Sequence, residues 1–201
     1  MQTQYLFSSL AFGRWKQEAR ALKRSTNLLH HQALEQVAKS KRFENWHQVV
    51  GEAKLNRTTE TAYRSGLLVA YDVKNAMDDW VPDDSFVDNW RALHFCEKDI
   101  LAWYRRGDDE AEGEEKHAIP SDPDKYLEEF ENWLTNVCLF RYCGPTVPAT
   151  PRAVLPILDE RCFFSPMFFW HEGQFVDPWR DLAIDGRLDM TGNTDLNISD
   201  L

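Results

Sequence analysis

The 201-residue sequence predicts an α+β protein: a small N-terminal three-helix module, then a mixed α+β domain with a few strands, including a C-terminal hairpin. Three observations carry this prediction. Apolar residues recur at helical spacing in three short segments before residue 58. Further on, helical periodicity alternates with apolar runs of strand length. Charge also divides the chain: residues 1–58 hold ten Lys and Arg against four Glu, leaving 13 of the 23 basic and 29 of the 33 acidic residues to the remainder. Such a split implies two bodies with different partners. The expected division is a basic three-helix module at 1–58, an acidic aromatic-rich α+β domain at 59–184 and a flexible tail at 185–201.

The first helix is expected from Ser9 to about Lys23, where Phe12, Trp15, Ala19 and Leu22 form an apolar stripe beside the basic stripe Lys16, Arg20, Lys23 and Arg24. Ser25, Thr26 and Asn27 end it, because their side chains compete for backbone hydrogen bonds. A second helix is expected from about His31 to Ser40, burying Leu34, Val37 and Ala38, with Lys39, Lys41 and Arg42 at its C-terminal end. A third runs from about Asn45 to Ala53, with Trp46, Val49, Val50 and Ala53 on one face. Trp15, Phe43 and Trp46 are the natural centre of a shared core.

A polar linker is expected at Leu55–Glu60, followed by a buried strand within Gly66–Val73 or, as the alternative, a helix starting near Thr61. Asp84 or Ser85 is read as the cap of a helix carrying Phe86, Trp90 and Leu93, and Gly107–Glu115 as a solvated acidic loop. Asp122 and Pro123 open an amphipathic helix through Tyr126, Phe130 and Trp133. Val137–Tyr142 reads as a strand, Pro145, Pro148 and Pro151 as a rigid loop, and Thr150-Pro151 as the start of a short helix. Met167–Trp170 and Gln174–Val176 form the hairpin about the turn His171-Glu172-Gly173.

Within the second helix, the run His30-x-Gln32-Ala33-Leu34-Glu35-x-x-Ala38, followed by Phe43 and Trp46, resembles the small helical module of glyoxalase-related proteins and of uncharacterised plasmid and mobile-element proteins. The resemblance covers about residues 8–54. It departs at Leu29 and His31, where the module offers small hydroxyl residues as caps. It implies a helical fold for this segment and a mobile-element setting, and it carries no catalytic residue.

Composition narrows function further. With 43% hydrophobic residues, eight Trp and twelve Phe, the chain has material for a real core. The net charge of −10 speaks against a general nucleic-acid binder, so any such contact belongs to the basic module. Lys16, Arg20, Lys23 and Arg24, joined by Lys39, Lys41 and Arg42, are the candidate nucleic-acid contacts, since phosphate binding needs several cations on one face. The ordinary reading is a solvated face, helped by the affinity of helix C-termini for cations. Asp78, Asp79, Asp83 and Asp84, with Trp170 and Trp179, are the candidate partner-binding residues: spaced carboxylates imitate a phosphate backbone, and Trp is enriched at binding hot spots.

His94, Glu97 and Asp99 lie close enough in sequence to suggest a metal site and a rival reading as a metal-dependent nuclease or hydrolase. Yet Cys96, Cys138, Cys143 and Cys162 form no C-x-x-C pair, and neither a G-x-S-x-G nor a Gly-rich phosphate loop is present. No cofactor is expected. A segment at Met1–Leu10 too polar for a secretory signal, unpaired thiols and no apolar run near about 20 residues predict a cytoplasmic protein with no membrane partner. The expectation is a non-enzymatic binding protein serving or inhibiting a nucleic-acid-handling complex; a structural subunit of a larger assembly is the third reading.

Overall fold

The computed structural model describes residues 5–76, 85–110, 123–161 and 165–182. The class is α+β, with N-terminal helices followed by a five-stranded antiparallel sheet. The chain divides into two compact units, Met1–Thr61 and Ala62–Leu201.

In the first unit, α1 (Ser9–Ser25) starts where the Ser8 hydroxyl accepts the Ala11 N–H. It ends where the Ser25 and Thr26 hydroxyls donate to the Leu22 carbonyl. A four-residue turn leads into α2 (His30–Ser40). Leu29 stands at its N-cap without a side-chain acceptor, and the Gln32 side chain takes the Leu29 N–H instead. Ala33 and Ala38 are fully buried, which lets helix backbones approach closely. At the other end Arg42 adopts φ +67°, and the Phe43 N–H reaches back to the Ala38 carbonyl. That left-handed closure turns the chain sharply into α3 (Trp46–Ser65). Phe7, Phe12 and Phe43 form the core centre, with Trp15 and Trp46 packed on it.

α3 corrects the expectation of a short helix and a polar linker, because it continues through Leu55–Glu60 to Ser65. Arg57 and Thr58 there are exposed, but Asn56, Thr59 and Glu60 are buried, two of them for a visible reason. The Asn56 amide donates to the Tyr5 carbonyl and the Glu60 carboxylate accepts the Ser9 N–H, fixing the segment that leads into α1. Val50, expected in the core, is exposed.

The boundary between the units falls within the last turns of α3. In the second unit Gly66 joins α3 to β1 (Leu67–Asp72); a Cβ there would meet the Ala62 backbone at 2.9 Å. The sheet order is β2-β3-β1-β4-β5, with β2 Phe86–Asp88, β3 Val137–Tyr142, β4 Phe168–His171 and β5 Gln174–Val176. Central β1 is buried on both faces. Leu68 and Ala70 join a cluster with Ile100, Phe130, Phe168 and Trp170, whereas Leu67, Val69 and Tyr71 join Phe140, Val154, Leu158 and Phe169. After the single turn α4 (Val73–Ala76), the helices α5 (Leu93–Glu110) and α6 (Pro123–Leu134) supply the first cluster; α7 (Leu155–Arg161) supplies the second.

Residues 86–92 correct a second expectation: they form β2 and a short 3-10 turn, and of the expected helix only Leu93 is α-helical, as the first residue of α5. Pairing Phe86 with Tyr142 and Asp88 with Phe140 outweighs local helical preference. α5 also runs to Glu110, into the expected acidic loop, while residues 111–115 and the expected tail at 185–201 lie outside the described residues. The hairpin turn is Glu172-Gly173, both at positive φ, as a tight right-twisted hairpin needs. A final turn, α8 (Pro178–Asp181), is capped by Asp177. Among the described residues no helix is long and apolar enough to cross a membrane.

Candidate nucleic-acid interface

The turn between α1 and α2 brings the last turns of one helix against the first turn of the next. Arg20, Lys23 and Arg24 from α1, with Gln17 beside them, face His30 at the start of α2 across an open depression of about 570 Å³. All five side chains are exposed. The N-terminus of α2 adds the positive end of its dipole to this corner, since the first N–H groups of a helix have no intrahelical acceptor. Gln17 and His30 were not among the candidates read from sequence. The shortness of the α1–α2 turn was the available signal, because it forces these ends together.

The other basic candidates lie elsewhere. Lys16 Nζ sits 4.1 Å from the centroid of the Phe12 ring, a cation–π contact next to the core. Lys41 pairs with Glu18 at 3.1 Å. The length of α2, about 16 Å at 1.5 Å per residue, separates Lys39, Lys41 and Arg42 from His30. The seven cations therefore do not merge into one cluster, and only Arg20, Lys23 and Arg24 share the depression.

Among the partner-binding candidates, Asp78, Asp79, Asp83 and Asp84 lie outside the described residues. Trp179 on α8 is 44% exposed and is placed as a surface residue should be. Trp170 is corrected: it is fully buried, and its Nε1–H donates to Asp99 Oδ2 at 2.9 Å. Its place on β4 makes it the core partner of Phe168, which strand periodicity alone does not distinguish from an exposed aromatic. Trp90, 40% exposed with the Arg91 guanidinium 5.0 Å from its ring centroid, was not among the candidates.

The suggested metal residues have other duties. Asp99 Oδ2 accepts from the Tyr63 hydroxyl as well as from Trp170, both at 2.9 Å. His94 and Glu97 are exposed, and His94 lies edge-on to Phe95. Burial pushes the Cys96 thiol well above its ordinary pKa, and nearby Asp99 adds to the shift, so this sulfur is kept protonated. Burial likewise raises Cys138, helped by Asp88 and Asp72. Among the described residues no three His, Cys, Asp or Glu side chains converge on a point where a metal would sit. Comparisons with protein-family models, with curated proteins and with solved structures returned no match.

Proposed function

We propose that this chain is a non-enzymatic binding protein of mobile-element type, whose N-terminal unit contacts nucleic acid and whose acidic unit engages a protein partner. The observation that carries the nucleic-acid half is the depression in which Arg20, Lys23 and Arg24 converge on the positive end of α2. Three cations in one concavity release counterions together, which scattered cations do not. The protein-partner half rests on exposed Trp179 and on the acidic excess beyond residue 58. The mobile-element setting rests on the resemblance carried by His30, Gln32, Ala33, Leu34, Glu35, Ala38, Phe43 and Trp46.

The test is direct: titrate the full-length chain into labelled duplex and single-stranded DNA and RNA at low and moderate salt. Binding that weakens steeply with salt supports the reading. No binding to any of them at low salt removes the nucleic-acid half. Capture of a host protein by the full chain, lost on Trp179→Ala, tests the other half, and an unchanged capture removes Trp179 as its anchor.

A further inference from the structure

We infer that the α1–α2 corner is a subsite for about two consecutive phosphodiesters of one nucleic-acid strand, held by Arg20, Lys23 and Arg24 without reading the bases. This rests on the nucleic-acid reading above and narrows it to one place and one ligand chemistry. Arg20 and Arg24 are one helical turn apart, about 6 Å along the axis of α1, with Lys23 on the same side. Phosphates along one strand of a duplex advance by about 3.4 Å each, so a row of this length faces two neighbours. His30, the first residue of α2, also lines the depression, and the dipole of that helix start favours the same negative charge.

Base recognition has little to work with here. The lining includes no Trp, Tyr or Phe among the described residues, whereas single-strand platforms stack bases on such rings. The unit's own aromatics are spent on one another: Phe7 lies 4.6 Å from Trp15 and Phe12 stacks on Trp46 at 5.8 Å between centroids. Of the other candidate cations, Lys16 lies over Phe12 and Lys41 on Glu18, while Lys39 and Arg42 stand at the far end of α2. The corner is therefore built for the strand backbone.

The experiment compares the full-length chain with three variants: Arg20→Gln/Lys23→Gln/Arg24→Gln, the charge-keeping Arg20→Lys/Arg24→Lys, and the distant pair Lys39→Gln/Arg42→Gln. The probes are two duplex DNAs of equal length and unrelated sequence, each titrated across a salt series. The neutral triple variant is expected to lower the slope of log affinity against log salt by about 2, near 0.9 per lost phosphate contact. The lysine variant is expected to keep the slope, the distant pair to leave it unchanged, and the two duplexes to bind within about threefold of each other. A neutral triple variant with the native slope, or a tenfold preference for one duplex, overturns the subsite while leaving nucleic-acid binding intact. Absence of binding by the unmodified chain removes both. Circular dichroism of each variant confirms that these exposed substitutions keep the helices.

Discussion

The Glu35 carboxylate accepts the backbone N–H of Trp46, at 3.1 Å to the nearer oxygen, and so caps α3 from the middle of α2. This single contact explains an acidic residue in the His30–Trp46 motif. Gln32 serves the start of α2 in the same way, and the alanines Ala33 and Ala38 are fully buried in the core of the unit. The motif is thus a capping and packing device, with no reactive group in it. Replacing Glu35 by Ala is expected to lower stability by about 1 kcal/mol, the usual worth of an N-terminal cap. Glu35→Gln keeps an acceptor oxygen and is expected to lose about half as much, the charge–dipole part. Urea denaturation of both variants measures the difference.

Arg42 holds φ at +67°, a conformation that disfavours residues with a Cβ by roughly 1–2 kcal/mol. It is kept there because the Phe43 N–H bond to Ala38 and the burial of Phe43 require the reversal. Glycine adopts this conformation freely but gains entropy in the unfolded chain. Arg42→Gly is therefore expected to raise stability by about 0.5–1 kcal/mol, visible as a higher denaturation midpoint with an unchanged denaturant slope. A lower midpoint would show that the guanidinium contributes more than the strain removes.

Asp99 joins α5 to β4 and to the last turn of α3 by accepting from both Trp170 and Tyr63. Trp170 is fully buried, so its indole N–H has no solvent to turn to when the acceptor is removed. Asp99→Ala is expected to destabilise by roughly 2–3 kcal/mol, the range for charged acceptors leaving a donor unpaired. Asp99→Asn, which retains one carbonyl oxygen for the two donors, is expected to lose less. Equal losses in the two variants would place the effect in packing instead of hydrogen bonding.

How much of this was legible in the sequence follows from what kind of force fixed each element. Phe12, Ala19, Val37 and Val49 announce their helices by spacing, because burial of one face is a local pattern. The hairpin was legible through Gly173, which takes positive φ freely, but His171, expected in the turn, belongs to β4 and pairs with Gln174, and Glu172 gives no signal of its positive φ. The continuation of α3 was not. Asn56 and Glu60 look like linker residues until their partners, Tyr5 and Ser9, are known to lie 51 positions away. β2 was hidden for the same reason: three residues have too little propensity to declare a strand, and β3 decides them. The candidate site was half legible. Charge spacing on α1 found Arg20, Lys23 and Arg24, but which other cations join them depends on the direction of α2, and the spacing pattern is silent on that.

Tyr63 gives the second unit an alkaline weak point. Burial, then the hydrogen bond to Asp99, pushes its hydroxyl from 10.0 up to about 12. The folded state therefore holds this proton more tightly than the unfolded chain does. Its contribution is fully present below pH of about 10 and is lost as pH rises from there through about 12, where the folded group also ionises. Two negative groups then meet at one bond, the phenolate and the Asp99 carboxylate, with Trp170 still donating to the latter. Tyr63→Phe removes both the hydrogen bond and the titration. The variant is expected to be less stable than the unmodified chain at neutral pH, and the gap is expected to narrow across the alkaline window. Denaturation midpoints taken at steps from pH 8 to 12 check this; a gap that stays constant through that range would mean that the hydroxyl does not ionise against Asp99.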